Sequence, residues 1–67
     1  MAVARVTEIT SSSLKSFEDA MLVGIQRATQ TLENVTGAWI KDQEVVVDGE
    51  RIAEYRVRLK VTFILKK

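Results

Sequence analysis

An Asp48-Gly49 step between two long runs of alternating residues constrains this chain more than any other feature. Asp-Gly between β-branched flanks is the strongest short-range hairpin signal, because both residues tolerate the positive φ of a type I′ turn. The pattern predicts a hairpin over 36–65 with Asp48 and Gly49 as its loop. In that register Val47 faces Glu50, Lys41 faces Arg56, Trp39 faces Arg58 and Gly37 faces Lys60.

Successive strand residues point to opposite sides of a sheet. Ala53, Tyr55, Val57, Leu59, Val61, Phe63 and Leu65 therefore form an apolar face, and Glu54, Arg56, Arg58, Lys60 and Thr62 a polar one. Through the register Ala38 and Ile40 join the apolar face. Trp39, the only tryptophan, joins the basic face. A core built on the apolar side has no use for it there, so Trp39 is the first candidate for a binding residue.

Upstream, Val3 to Thr10 is short and β-branched and reads as a first strand, ended by the serines Ser11, Ser12 and Ser13, whose hydroxyls suit a turn. Ser16 has the character of a helix N-cap, with Asp19 in the position from which a carboxylate reaches back. Phe17, Ala20, Met21, Gly24, Ile25, Ala28 and Leu32 then recur at three- and four-residue spacing, predicting an amphipathic helix over 17–33 with Asn34 as terminator. The Phe17 and Met21 stripe is core by this spacing. Gly24 costs about 0.8–1 kcal/mol relative to Ala in a helix, and its place on the stripe implies close approach to the sheet or to a second helix. The order strand, helix, strand, strand predicts an α+β fold: a β-α-β-β single domain over 1–67, with a three-stranded antiparallel sheet and one amphipathic helix packed on one face.

A chain of 67 residues is short for a self-sufficient core; below about 70–80 residues one core rarely supplies more than ~3–5 kcal/mol without disulfides, metal or oligomerisation. The chain has no Cys and no His, which leaves oligomerisation as the source of stability and removes the usual nucleophile–base pairs and zinc sites. No enzyme activity is expected. There is no long apolar run and no signal-peptide layout at the N-terminus, so the expectation is a cytoplasmic protein without a membrane role. A net charge of +1 argues against nucleic acid as a partner. Asp42, Glu44, Asp48 and Glu50 cluster around the turn, but without EF-hand spacing they read as a solvated hairpin end, and no metal site is assigned.

Several pieces of the chain, in this order and at this spacing, resemble the dodecins. They are Arg5-Val6-Thr7-Glu8-Ile9 followed by Ser12-Ser13, Ser16-Phe17-Glu18-Asp19-Ala20, Arg27-Ala28 with Thr31-Leu32 and Asn34, Asp48-Gly49, and Tyr55-Arg56-Val57 leading into Leu59-Lys60-Val61-Thr62-Phe63. The resemblance implies a homododecamer assembled from trimers, with flavin held where the sheets of neighbouring protomers meet, and a role in storing or sequestering flavin. In typical members a Trp soon after the helix stacks on the isoalloxazine ring and a Gln on the last strand bonds its polar edge. Here those two positions fall on Gly37 and Arg56, while Trp39 lies two residues further along the same sheet face, a displacement of about 7 Å.

The resemblance points to a dodecin-like storage protein for a flavin (riboflavin, FMN or FAD) or a related planar anion. Trp39 would stack, Arg56 and Arg58 would pair with polar or phosphate groups, Gln43 would bond a ring edge, and Gly37 marks the altered stacking position. A plainer reading of Trp39 is packing between subunits. For the row Arg56, Arg58 and Lys60 it is a solvated face or inter-subunit ion pairs with Glu44, Glu50 or Glu54. Two alternatives follow: a shell of the same fold without flavin, structural or binding calcium or another ligand, and, more remotely, a single-strand nucleic-acid platform.

Overall fold

The computed structural model describes residues 3–65; Met1, Ala2, Lys66 and Lys67, the ends of the expected domain, lie outside the described residues. The chain runs β1 (Val3–Ser13), α1 (Phe17–Thr31), β2 (Val35–Asp48) and β3 (Arg51–Leu65). This is the expected β-α-β-β order, and the strands form one antiparallel sheet ordered β1-β3-β2. The strand with the longest alternation takes the centre. Val57, Leu59 and Val61 of β3 are completely buried under the helix.

Small residues let the helix come down onto the sheet. Ala20, Gly24 and Ala28, spaced by four, are the buried positions of α1, and a Cβ at Gly24 would stand 3.0 Å from Leu59 Cδ1 and 3.0 Å from Ser11 Cβ. The close approach implied by Gly24 is therefore to the sheet. Ile9, Phe17, Met21, Ile25, Leu32 and Val35 pack around this centre, and Phe17 meets Tyr55 edge to face at 5.2 Å between ring centroids.

Ser16 caps α1, its hydroxyl oxygen accepting the Asp19 backbone N–H at 3.0 Å. The Asp19 carboxylate does not complete a reciprocal cap: it accepts the Ser13 hydroxyl at 2.6 Å and so ties the helix start to the end of β1. The helix ends at Thr31, earlier than the expected 33, because Leu32 turns extended while its N–H still bonds Ala28 O at 2.8 Å. Asn34 adopts the left-handed conformation, φ 63°, as the link into β2.

Three expectations need correction. The serines do not end β1: Ser11, Ser12 and Ser13 pair with Val57, Arg56 and Tyr55, since an edge strand tolerates hydroxyls and a small Ser11 fits beneath Gly24. The loop is Gly49-Glu50, not Asp48-Gly49, with Asp48 facing Arg51. Only Gly49 has positive φ there, 67°; a positive φ confined to the first loop residue is the type II′ pattern, which spares Glu50 the left-handed conformation that a type I′ turn at these two positions would demand. Finally, the β2–β3 register is not continuous. Irregularities fall between Val35 and Gly37, between Ile40 and Asp42, and between Val46 and Val47, so that Trp39 faces Lys60, Gly37 faces Thr62, and neither Lys41 nor Arg58 has its expected partner.

Candidate functional site

The helix covers one side of the sheet, and the side behind it is open. Cross-strand neighbours share a face, so the pairings assign the open side as Ala4, Val6, Glu8, Thr10 and Ser12 of β1, Glu54, Arg56, Arg58, Lys60, Thr62 and Ile64 of β3, and Gly37, Trp39, Asp42, Glu44 and Val46 of β2. Trp39 is 53% exposed on that side. Its expected neighbour Arg58 is replaced by Lys60, because the loop moved by one residue shifts the pairing by two and leaves the face unchanged.

The two bulges flanking Asp42–Val46 reverse that segment. Ala53 is passed over on β3 and Lys41 on β2, and between these points Asp42 faces Arg58 and Glu44 faces Arg56. Gln43 is carried to the helix side, opposite the buried Val57. Within a protomer it cannot join Trp39, contrary to the expected site. The carboxylates that take its place on the open side have immediate electrostatic consequences.

Arg58 holds Asp42 Oδ1 at 2.8 Å through Nη1 and Glu44 Oε1 at 2.6 Å through Nη2. Arg56 holds Glu54 at 2.6 Å, and Glu8 receives Lys60 at 3.1 Å and Lys41 at 3.5 Å. The Lys60 hydrogen bond, aided by the charge of Lys41, draws the Glu8 carboxyl below its ordinary pKa. Hydrogen bonds to Asp42 and Glu44 raise that of Arg58. The expected ion pairing of the basic row is thus present, but inside one chain and with Glu8, Asp42, Glu44 and Glu54 as partners.

The open face therefore has two zones. One is a lattice of paired charges from Glu8 and Lys60 to Glu54. The other is an uncharged shelf of Val6, Thr62, Gly37 and Trp39, adjacent through the pairings of Thr62 with Val6 and Gly37. A Cβ on Gly37 would meet nothing within 4 Å, so the space over Gly37 is open. Such a shelf presents the half-exposed Trp39 as a surface on which a planar ring can stack. The sequence places Lys60 in the basic row but does not reveal Glu8 as its partner, because that pair depends on β1 lying beside β3, which no local pattern announces.

Two apolar grooves flank the helix instead, one of about 570 Å³ against β1 and one of about 530 Å³ against the start of β2; neither is lined by Trp39, Arg56 or Arg58. Among the described residues no three His, Cys, Asp or Glu side chains come together as a metal site, and no helix is long and apolar enough to cross a membrane.

Comparison with known proteins gives a consistent set of similarities. A family model described as Dodecin matches residues 3–66. Calcium dodecin of Mycobacterium tuberculosis is 30% identical over 66 residues, covering 98% of this chain and 93% of that protein. Dodecin from Streptomyces davaonensis superposes with a TM-score of 0.94 at 32% identity, over 98% of this chain and 97% of that one. The crystal structure of the Mycobacterium tuberculosis protein, described as a calcium-chelating antigen with a novel calcium-binding site, superposes with a TM-score of 0.83 at 30% identity, over 96% and 91% of the two chains.

Proposed function

The chain belongs to the dodecin family, and from that membership we propose that it is a cytoplasmic homododecamer of a single 1–67 domain that binds and stores a flavin between protomers and catalyses no reaction. The observation that carries this reading is the 53% exposure of Trp39 on the uncovered sheet face, beside the open space over Gly37. Trp39 supplies the stacking surface, and Gly37 the room for the ring. Loss of a side chain at Gly37 and the presence of an indole two residues later move the platform along the strand and keep it on the same face.

The test is a titration of the ligand-stripped oligomer with riboflavin, FMN and FAD, following flavin fluorescence. Saturable quenching is expected, and Trp39→Ala should weaken binding about tenfold, as stacking of a planar base on an aromatic side chain contributes ~1–3 kcal/mol. No quenching, or unchanged affinity in the variant, would remove flavin or Trp39 from the reading. A second reading, calcium binding, draws support from the calcium dodecin relative. It would require carboxylates from more than one protomer, since Asp42 and Glu44 are both engaged by Arg58.

A further inference from the structure

Among the described residues, the cations along the middle of the open face already have acidic partners. Lys41, Arg56, Arg58 and Lys60 are matched by Glu8, Asp42, Glu44 and Glu54 at 2.6 to 3.5 Å. Arg58 is the most committed, because its two terminal nitrogens are taken by separate carboxylates. A guanidinium recognises phosphate through that same fork of N–H groups. With the fork occupied, an arriving phosphate must displace a carboxylate that remains close by and repels it.

From this pairing we propose that the site selects an uncharged ring system over its phosphorylated form, and that Asp42 and Glu44 determine this selectivity by occupying Arg58. The inference rests on the flavin reading above and narrows its ligand class to riboflavin-like molecules. A ring stacked on Trp39 sends its side chain either toward Lys60 and Arg58 or away over Gly37 and Thr62. The first direction meets cations neutralised by Glu8, Asp42 and Glu44; the second meets Thr62, Val6 and Ile64, which carry no charge. The arrangement depends on Lys41 being passed over: were Lys41 paired in regular alternation, Asp42 and Glu44 would turn to the helix side.

Riboflavin and FMN differ only in the terminal phosphate, which makes their affinity ratio the direct readout. The intact oligomer should bind riboflavin at least as tightly as FMN, with a ratio that stays within about twofold between about 0.05 and 0.5 M salt, where an unscreened cationic site would lose its grip on phosphate. Converting both acids, Asp42→Asn with Glu44→Gln, frees Arg58 and should shift the ratio toward FMN about tenfold, with the gain disappearing at high salt. FMN binding the unmodified protein about tenfold more tightly than riboflavin in a salt-dependent way would overturn the selectivity while leaving the flavin reading intact. An unshifted ratio in a folded double variant would do the same for the roles of Asp42 and Glu44. Absence of binding by either flavin would instead remove the reading beneath it. Should the double variant fail to assemble, the salt response of the unmodified protein decides alone.

Discussion

At Gly24 the helix backbone meets two strands at once. The 3.0 Å separations from a Cβ there to Leu59 Cδ1 and Ser11 Cβ involve a fully buried leucine and a carbon fixed to β1 opposite Val57. The leucine has no room to yield, and the serine carbon can move only with its strand. Alanine would gain about 0.8–1 kcal/mol in helix propensity, whereas overpacking a well-filled core costs ~1–3 kcal/mol. Gly24→Ala is therefore expected to lower stability by about 1 kcal/mol net, read from urea unfolding at fixed protomer concentration. Adding Ser11→Gly removes one of the two contacts and should recover part of the loss, so the cycle would show coupling. Strictly additive effects would mean that the helix does not bear on Ser11. The glycine was legible in the sequence as a small residue on an apolar stripe; the serine was not, because its constraint comes from an element distant in the chain.

At the scale of the strand, β2 decides the chemistry of the open face through its irregularities. Even-numbered Ala38 and Ile40 share the helix side with odd-numbered Gln43 and Val45, a change of parity that the bulge at Lys41 makes possible. The alternation of β3 is unbroken from Glu54 onward and is legible in the sequence, as are the helix start, its N-cap and the order of the elements, whereas the break at Ala53 is not. In β2 the valine run Val45-Val46-Val47 fits either face and hides the change of parity, so the sequence pattern alone puts Gln43 on the open side, whereas it lies opposite Val57. Deletion of the bulged residue tests this account. Without Lys41, Ile40 and Asp42 become sequence neighbours that already point to opposite faces, and the fold should persist with a stability change of about 1 kcal/mol or less. Deleting Gln43 instead would turn Glu44 toward Val57 and should cost more than about 3 kcal/mol, or force the strand to slip. Circular dichroism and thermal unfolding of the two deletions distinguish the outcomes; equal tolerance would mean that the register is not fixed by the bulge.

The protomer as a whole is too extended for its length. Its radius of gyration is 13.8 Å and its extents are 51 × 19 × 13 Å, against the roughly 11 Å radius of a compact chain of this size. The excess comes from the hairpin end. β1 stops at the Ser13–Tyr55 pair, so the pairs from Val46–Glu54 to Asp48–Arg51 form a two-stranded arm with no third strand. An isolated two-stranded ribbon is marginal in water, yet this one exposes Val47 at 62% and Ile52 at 50%, directly opposite each other. The expectation that follows from the proposed dodecamer is that the arm gains the support it lacks by lying on a neighbouring copy. Val47→Ser with Ile52→Ser removes its apolar contact without introducing charge. If the arm is buried between copies, each truncation forfeits about 1.5–3 kcal/mol of burial, repeated at every symmetry-related contact, and sedimentation should show a smaller species at protein concentrations where the parent stays assembled. If the arm is solvated, surface substitutions of this kind change stability by about 0.5 kcal/mol or less and the variant should sediment with the parent. The second result would detach the arm from assembly.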